Sequence, residues 1–150
     1  MKDKFLESDF FSNRRVALFG INRIQSEPTV NHIKNIDKHH DQFIASGLDG
    51  VGCVSYCDFL LFDQLMPKLS KKIWAKQVDR PELQNLQKFL GKRGHYNFLQ
   101  NNWQFACVIN NGQLEFYQEQ PFELRRISLD TRENIYSEVG PEKVLKHLAR

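Results

Sequence analysis

His40 and Asp37 stand three residues apart in a stretch whose apolar spacing is helical, so their side chains are neighbours on one helix surface. A carboxylate that orients and charges an imidazole is the pairing a general base needs. A histidine on the buried side of a helix must also satisfy its ring nitrogens, and Asp37 does that with no catalysis at all. No nucleophile stands beside the pair in sequence, so the two residues name no reaction.

A second constellation is His39, His40, Cys53 and Cys57. Imidazole and thiolate are zinc ligands, yet C-x3-C is weaker than the paired C-x2-C signal, and adjacent histidines point to different sides of a helix. The cysteines read equally well as small buried apolar residues. No metal and no cofactor is expected. A third group is basic: Lys68, Lys71, Lys72 and Lys76 on one expected helix, then Lys88, Lys92 and Arg93, with Trp74, His95 and Tyr96 nearby. Cations that neutralise phosphates, with rings that stack on bases, hold single-stranded nucleic acid. The same cations steer an acidic protein surface, and a solvated helix face carries such charge with no partner.

Signatures that would name a reaction are missing. Gly47, Gly50 and Gly52 give G-x-x-G-x-G, which is not the dinucleotide order, and the chain contains no G-x-x-x-x-G-K-[ST], H-E-x-x-H or G-x-S-x-G.

The elements that must position these residues are clearest between Trp103 and Glu119. Asn111-Gly112 between two alternating apolar runs is a hairpin signal, because both central positions of a type I′ turn need positive φ. With that turn Ile109 faces Leu114, Cys107 faces Phe116 and Phe105 faces Gln118. One face then carries Trp103, Phe105, Cys107, Ile109, Leu114 and Phe116. The outer, mostly wet face carries Gln104, Glu115, Tyr117 and Glu119, with Ala106 and Val108 among them.

Before the hairpin, residues 3–12 suggest a short helix, and the run from Arg14 to Ile24 is too continuously apolar for a half-exposed edge, so it reads as a well-covered strand, with Gly20 marking a bulge or bend. A helix is expected from an N-cap at Ser26 to a stop at Gly47, with Ile33, Ile36, Phe43 and Ile44 inward and His40 within that stripe. Residues 48–52 read as a loop. Residues 51–62 do not separate helix from strand, and helix from about Tyr56 is favoured, leading past a kink at Pro67 into the lysine-bearing helix. Asp79-Arg80-Pro81-Glu82 resembles a capping box before a helix that Gly91 stops. After a polar connector over 92–102 and the hairpin, residues 122–129 are expected as a third strand whose Arg125 and Arg126 could pair with Glu115 or Glu119. Gly140-Pro141 opens a final helix. Strand, helices, meander and helix in that order predict α+β: an antiparallel β-meander of about three to five strands with several helices packed on one face. No linker divides the chain, so residues 1–150 are expected to form a single globular domain.

Composition bounds the function. The net charge of +3 divides as zero over 1–50, +4 over 51–100 and −1 over 101–150, so basic residues concentrate between Lys68 and Arg93 without the excess of a dedicated nucleic-acid binder. The three cysteines form an odd set that suits reduced thiols. The N-terminal MKDKFLESDFF lacks the long apolar core of a signal peptide, and no run approaches the length of a membrane span, so a cytoplasmic protein with no membrane partner is expected. A single domain with polar faces and no site motif suggests a non-enzymatic protein-binding module, an inhibitor or immunity-type protein that neutralises a protein partner. Its contacts would come from the Lys68–Tyr96 region or from Glu115, Tyr117 and Glu119. The alternative is a nucleic-acid-binding protein or a small metal-independent ribonuclease using Lys68–Arg93.

Overall fold

The computed structural model describes residues 8–21, 27–56, 60–69, 73–91, 104–120 and 136–150. Its elements are β1 (Arg15–Ile21), α1 (Glu27–Lys38), α2 (His40–Ala45), β2 (Gly50–Tyr56), α3 (Leu60–Leu65), a 3-10 turn (Met66–Lys68), β3 (Ile73–Val78), α4 (Arg80–Phe89), β4 (Phe105–Asn110), β5 (Gln113–Glu119) and α5 (Pro141–Leu148). The strands form one five-stranded sheet in the order β3-β2-β1-β4-β5. β1 pairs parallel with β2 and β2 parallel with β3, while β4 runs antiparallel to β1 and β5 antiparallel to β4. The sheet is therefore mixed, and the expected antiparallel meander is corrected. The hairpin exists, but its first strand is held by β1, and β1 turns to a parallel partner on its other side.

Helices cover both faces rather than one, a second correction. Odd-numbered β1 residues Ala17, Phe19 and Ile21 join Val51, Cys53, Ala106 and Val108 beneath Ile33 and Ile36 of α1, Phe43 of α2, Phe62 of α3 and Val144 of α5. Even-numbered Val16 and Leu18 join Val54, Tyr56, Phe105 and Cys107 beneath Phe10, Phe11 and the α4 residues Leu83 and Leu86. A strand buried on both faces shows no polar alternation, which is why β1 reads as a continuous apolar run.

The same cause settles the ambiguous stretch. All seven residues of β2 are buried between β1 and β3, so the strand begins at Gly50, inside the expected loop, and runs through Tyr56, where helix was expected; α3 spans Leu60–Leu65. The expected basic helix is corrected too. Lys68 ends the 3-10 turn and Lys76 stands on β3. The single helix from Ser26 to Gly47 is two helices divided at His39, and Gly47 stops the second at φ 106°. Elsewhere local chemistry behaves as expected. Asp79 and Glu82 make a reciprocal capping box at α4, Gly91 adopts φ 72°, and α5 starts at Pro141. Residues 8–13 form turns rather than helix. Residues 1–7, the connector 92–102 and the expected strand 122–129 lie outside the described residues, as do Arg125 and Arg126.

Asn111 and Gly112 have φ of 50° and 79°, as the predicted turn requires, and Ile109 pairs with Leu114. A bulge between Val108 and Ile109 then shifts the register, so Val108 faces Phe116, Cys107 faces Tyr117 and Phe105 faces Glu119. Alternation read outward from the turn misplaces every pair beyond that bulge. Gly20, meanwhile, marks close packing. A Cβ there would lie 2.2 Å from Phe105 Cε2, so the aromatic ring of β4 lies directly on the glycine of β1. Gly20→Ala is expected to lower stability by about 1 to 3 kcal/mol in urea unfolding. In a Phe105→Leu background the same change will cost less, and equal costs in both backgrounds would show that the ring contact is not the cause.

Candidate active site at the carboxyl edge of the sheet

From β1 the chain moves to β2 and β3 on one side and later returns to β4 on the other, so the strand order changes direction at β1. Sheets with parallel strands bind ligands outside the carboxyl ends at such a switch point. Here that edge is marked by Ile21, Tyr56 and, because β4 runs the other way, Gln104. Polar burial concentrates there. Five polar residues are buried among those described, Thr29, His32, His40, Ser55 and Gln104, and all except His40 belong to this edge or to the first turns of α1 beside it.

Each is placed by a specific contact. Ser55 Oγ donates to the carbonyl of Ile21 at 3.1 Å, tying the ends of β2 and β1 together. The hydroxyls of Thr29 and Tyr136 lie 3.1 Å apart. The Tyr136 ring stacks on His32 with centroids 3.9 Å apart and 12° between planes. The chain around Tyr136 is anchored through Gln120, whose Oε1 accepts from Glu138 N at 2.7 Å and whose N–H donates to the Gln104 carbonyl at 3.0 Å. Thr29 and His32 are three residues apart on α1 and share its inner face.

His32 is the unusual member. Burial alone pushes its pKa down to about 3, so the ring is neutral at physiological pH. Its Nε2 is buried with no hydrogen-bond partner. Leaving such a group unsatisfied costs about 1 to 3 kcal/mol. Among the described residues the buried polar groups of this edge include three hydroxyls, of Ser55, Thr29 and Tyr136, and the neutral imidazole of His32.

The thiols divide sharply. Cys53 and Cys107 sit in the two strands flanking β1, facing opposite layers, and burial raises both above the usual thiol range. The thiolate is the reactive species, so these two are inert packing groups. Cys57 lies outside the described residues; in sequence it directly follows Tyr56, the last residue of β2. Glu27, Pro28 and Thr29 open α1, so its first turn contains no cysteine.

The residues singled out from sequence are dispersed. His40 Nδ1 lies 3.4 Å from Asp41 Oδ1, and the division at His39 puts Asp37 on α1 and His40 on α2, so the two do not stand on the single helix expected. No group of three or more potential ligands fit to hold a metal occurs among the described residues. Lys68 is exposed, and Lys76 pairs with Glu82 at 3.2 Å. Lys71, Lys72, Lys92, Arg93 and Tyr96 lie outside the described residues, as does His95. Glu115, Tyr117 and Glu119 do not form an outer strip. The Tyr117 ring packs against Phe105 with centroids 6.0 Å apart, and its hydroxyl donates to Glu119 at 2.7 Å. Glu115 accepts from Arg15 Nη2 at 2.6 Å and Nε at 3.0 Å, from His147 Nε2 at 2.7 Å and from Asn110 at 3.2 Å. Sequence reasoning missed Thr29, His32, Ser55 and Tyr136 and placed Gln104 on an outer, wet face. One signal was present: Thr29, His32, Ile33 and Ile36 fall at i, i+3, i+4 and i+7, a complete inward face once polar residues are admitted to it.

Two pH dependences follow. The folded pKa of His32 lies below its unfolded value, so the unfolded chain binds the extra proton and stability falls as pH drops below about 6.5. Replacing His32 by Phe should flatten the stability curve between about pH 5 and 6.5, a window above the titration of ordinary carboxylates; parallel curves for wild type and His32→Phe would refute the assignment. The Glu115 carboxyl is drawn down to about 2, chiefly by the Arg15 hydrogen bonds. Its stabilisation is complete above the unfolded carboxyl pKa and is lost as pH falls toward 2. Glu115→Gln should cost about 1 to 2 kcal/mol at pH 7 after solvent screening, and little near pH 2, by urea midpoints at each pH.

No known family model matches the sequence, and no curated protein matches it. Solved structures do. Reduced Prx3 from Vibrio vulnificus in complex with hydrogen peroxide superposes with a TM-score of 0.61 at 16% identity, over 93% of this chain and 81% of that one. The Plasmodium falciparum antioxidant protein, a 1-Cys peroxiredoxin, gives 0.62 at 16% identity over 93% and 80%. Another peroxiredoxin gives 0.62 at 16% identity over 93% and 81%. The inhibitor or immunity-type reading, its nucleic-acid and ribonuclease alternative, and the expected protein partner are overturned by this likeness. They rested on a lack of site motifs and on an expected basic helix, whereas Lys76 stands on β3 and the similar solved structures are described as peroxiredoxins. None of the described helices is long and apolar enough to cross a membrane. The chain has the fold of the peroxiredoxins.

Proposed function

We propose that the protein is a thiol-dependent redox enzyme that reduces a hydroperoxide at the carboxyl edge of its sheet, with Cys57 as the reacting thiol. The observation that carries this reading is the fate of the other two cysteines. Cys53 and Cys107 are fully buried with thiols held protonated, so elimination leaves Cys57. Its place in sequence, one residue past the end of a parallel strand, belongs to the edge where a sheet of this kind binds ligands. The buried polar groups at that edge, Thr29, His32 and Tyr136, supply uncharged hydrogen-bonding partners suited to a small polar substrate. Two of the similar structures add weight, one described with hydrogen peroxide bound and one as a peroxiredoxin of the 1-Cys type.

The Cys57 thiolate attacks one oxygen of the hydroperoxide, an S–O bond forms and the O–O bond breaks. The departing oxygen takes a proton to leave as water or an alcohol, and Cys57 is left as a sulfenic acid. A thiol reductant condenses with that acid, releasing water, and a second thiol frees Cys57 by exchange. The free buried cysteines accord with a reducing, cytoplasmic setting, and residues 1–150 act as one domain. After exposure to hydrogen peroxide, a cyclic 1,3-dione trap with peptide mass mapping should label Cys57 in the folded protein. Cys57→Ser should abolish both the label and peroxide turnover, while Cys53→Ser and Cys107→Ser should keep both. A folded wild type that consumes no peroxide and carries no adduct at Cys57 overturns the proposal.

A further inference from the structure

The opposite end of the sheet holds a cavity of about 580 Å³ at the amino ends of β2 and β3, within the usual range of small-molecule sites. Its shelf is aromatic. Phe10 lies flat on Trp74, with centroids 4.5 Å apart and 3° between planes. The glycines that match no nucleotide motif explain this arrangement. A Cβ on Gly52 would lie 2.9 Å from both Phe10 Cζ and Trp74 Cε3, and one on Gly50 would lie 2.7 Å from Arg14 Nη2. Bare backbone at these two positions lets an aromatic pair and a guanidinium settle against β2.

Arg14 is the one arginine or lysine among the described residues that line the cavity. Its guanidinium sits over the Phe10 ring at 5.5 Å, and Nη2 donates to the Asp49 carbonyl at 2.5 Å. That bond positions the group and uses one of its five N–H donors. Across the cavity stand His40 and Ile44, four residues apart on α2 and so on one face. Ile44 is 40% exposed, one of two large hydrophobic residues that the fold leaves in solvent among those described. Ile73 lines the cavity as well. An apolar wall, an aromatic shelf and a pre-positioned guanidinium together match a ligand with a flat apolar body and an anionic end. Asp49 also lines the cavity, and its carboxylate accepts the Arg15 N–H at 2.8 Å. Among the described lining residues one guanidinium stands beside one aspartate, which favours a single negative charge over a polyphosphate.

We infer that this cavity binds a small aromatic monocarboxylate, with its ring against Ile44, Ile73 and the Phe10–Trp74 shelf and its carboxylate on the free N–H groups of Arg14. The inference stands apart from the redox reading, since the two sites lie at opposite ends of the sheet and binding is measured without peroxide. The probe is 2-naphthoate, titrated into the full chain by calorimetry and by NMR of the Trp74 indole N–H, beside its neutral analogue 2-naphthamide. The expected result is one saturable naphthoate site that shifts the Trp74 signal. The amide should bind roughly tenfold more weakly or worse, because the charge-assisted hydrogen bonds are lost. Arg14→Gln should impose a similar loss on naphthoate, while Lys146→Gln should leave it unchanged. Equal affinity for acid and amide, saturation without a Trp74 shift, or no saturable binding would overturn the site, and none of these depends on a variant folding.

Discussion

β1 is enclosed on every side, and the rest of the molecule follows from that enclosure. Six of its seven residues are buried, its hydrogen-bonding edges are taken by β2 and β4, and helices close over both faces. Backbone groups so far from water must be paired, and the two neighbouring strands supply that pairing. Each large apolar side chain sealed along it contributes about 1.5 to 3 kcal/mol of transfer free energy. The buried stretch of such a strand carries no charge. The charged residue of β1 is Arg15, its half-buried first residue, whose guanidinium reaches Glu115 on β5.

That arrangement also decides where chemistry is available. The middle of the sheet is too dry for a reactive thiol, so Cys53 and Cys107 serve as small packing groups. Polar residues collect where the strands end. At the carboxyl end they are neutral and buried, with Thr29, Tyr136 and His32 joined by a hydrogen bond and a ring stack. At the amino end they are charged and open, with Arg14 and Asp49 beside an aromatic shelf. The two ends of one sheet are thus suited to different ligands.

The Glu115 cluster shows how the periphery is secured to this centre. Arg15 of β1, Asn110 of β4 and His147 of α5 converge on one carboxylate of β5, and the His147 ring stacks on Phe116 at 4.6 Å. Four elements meet at a half-buried ion pair, where direct hydrogen bonds outweigh the cost of partial desolvation. On sequence grounds Glu115 belonged to a contact surface. Two of its partners, Arg15 and His147, are 100 residues before it and 32 after it, beyond the reach of local patterns.

What the sequence determined by itself is local. The Asn111-Gly112 turn, the capping box at Asp79 and Glu82 and the glycine stops at Gly47 and Gly91 each depend on backbone geometry or hydrogen bonds within a few residues. The enclosure of β1 was legible too, since an unbroken apolar run has nowhere else to go. Tertiary structure decided the rest. Whether a buried run is strand or helix, and whether its neighbour runs parallel, depends on what covers its two faces, which periodicity within the run does not record. Two-sided burial erased the alternation that would have identified β2, and one bulge after Val108 moved Tyr117 from an expected outer face to the inner layer. The candidate site shared that fate. Ser55, Gln104, His32 and Tyr136 are ordinary polar residues in sequence, and only the convergence of strand ends with α1 and the chain before α5 makes them one buried polar edge.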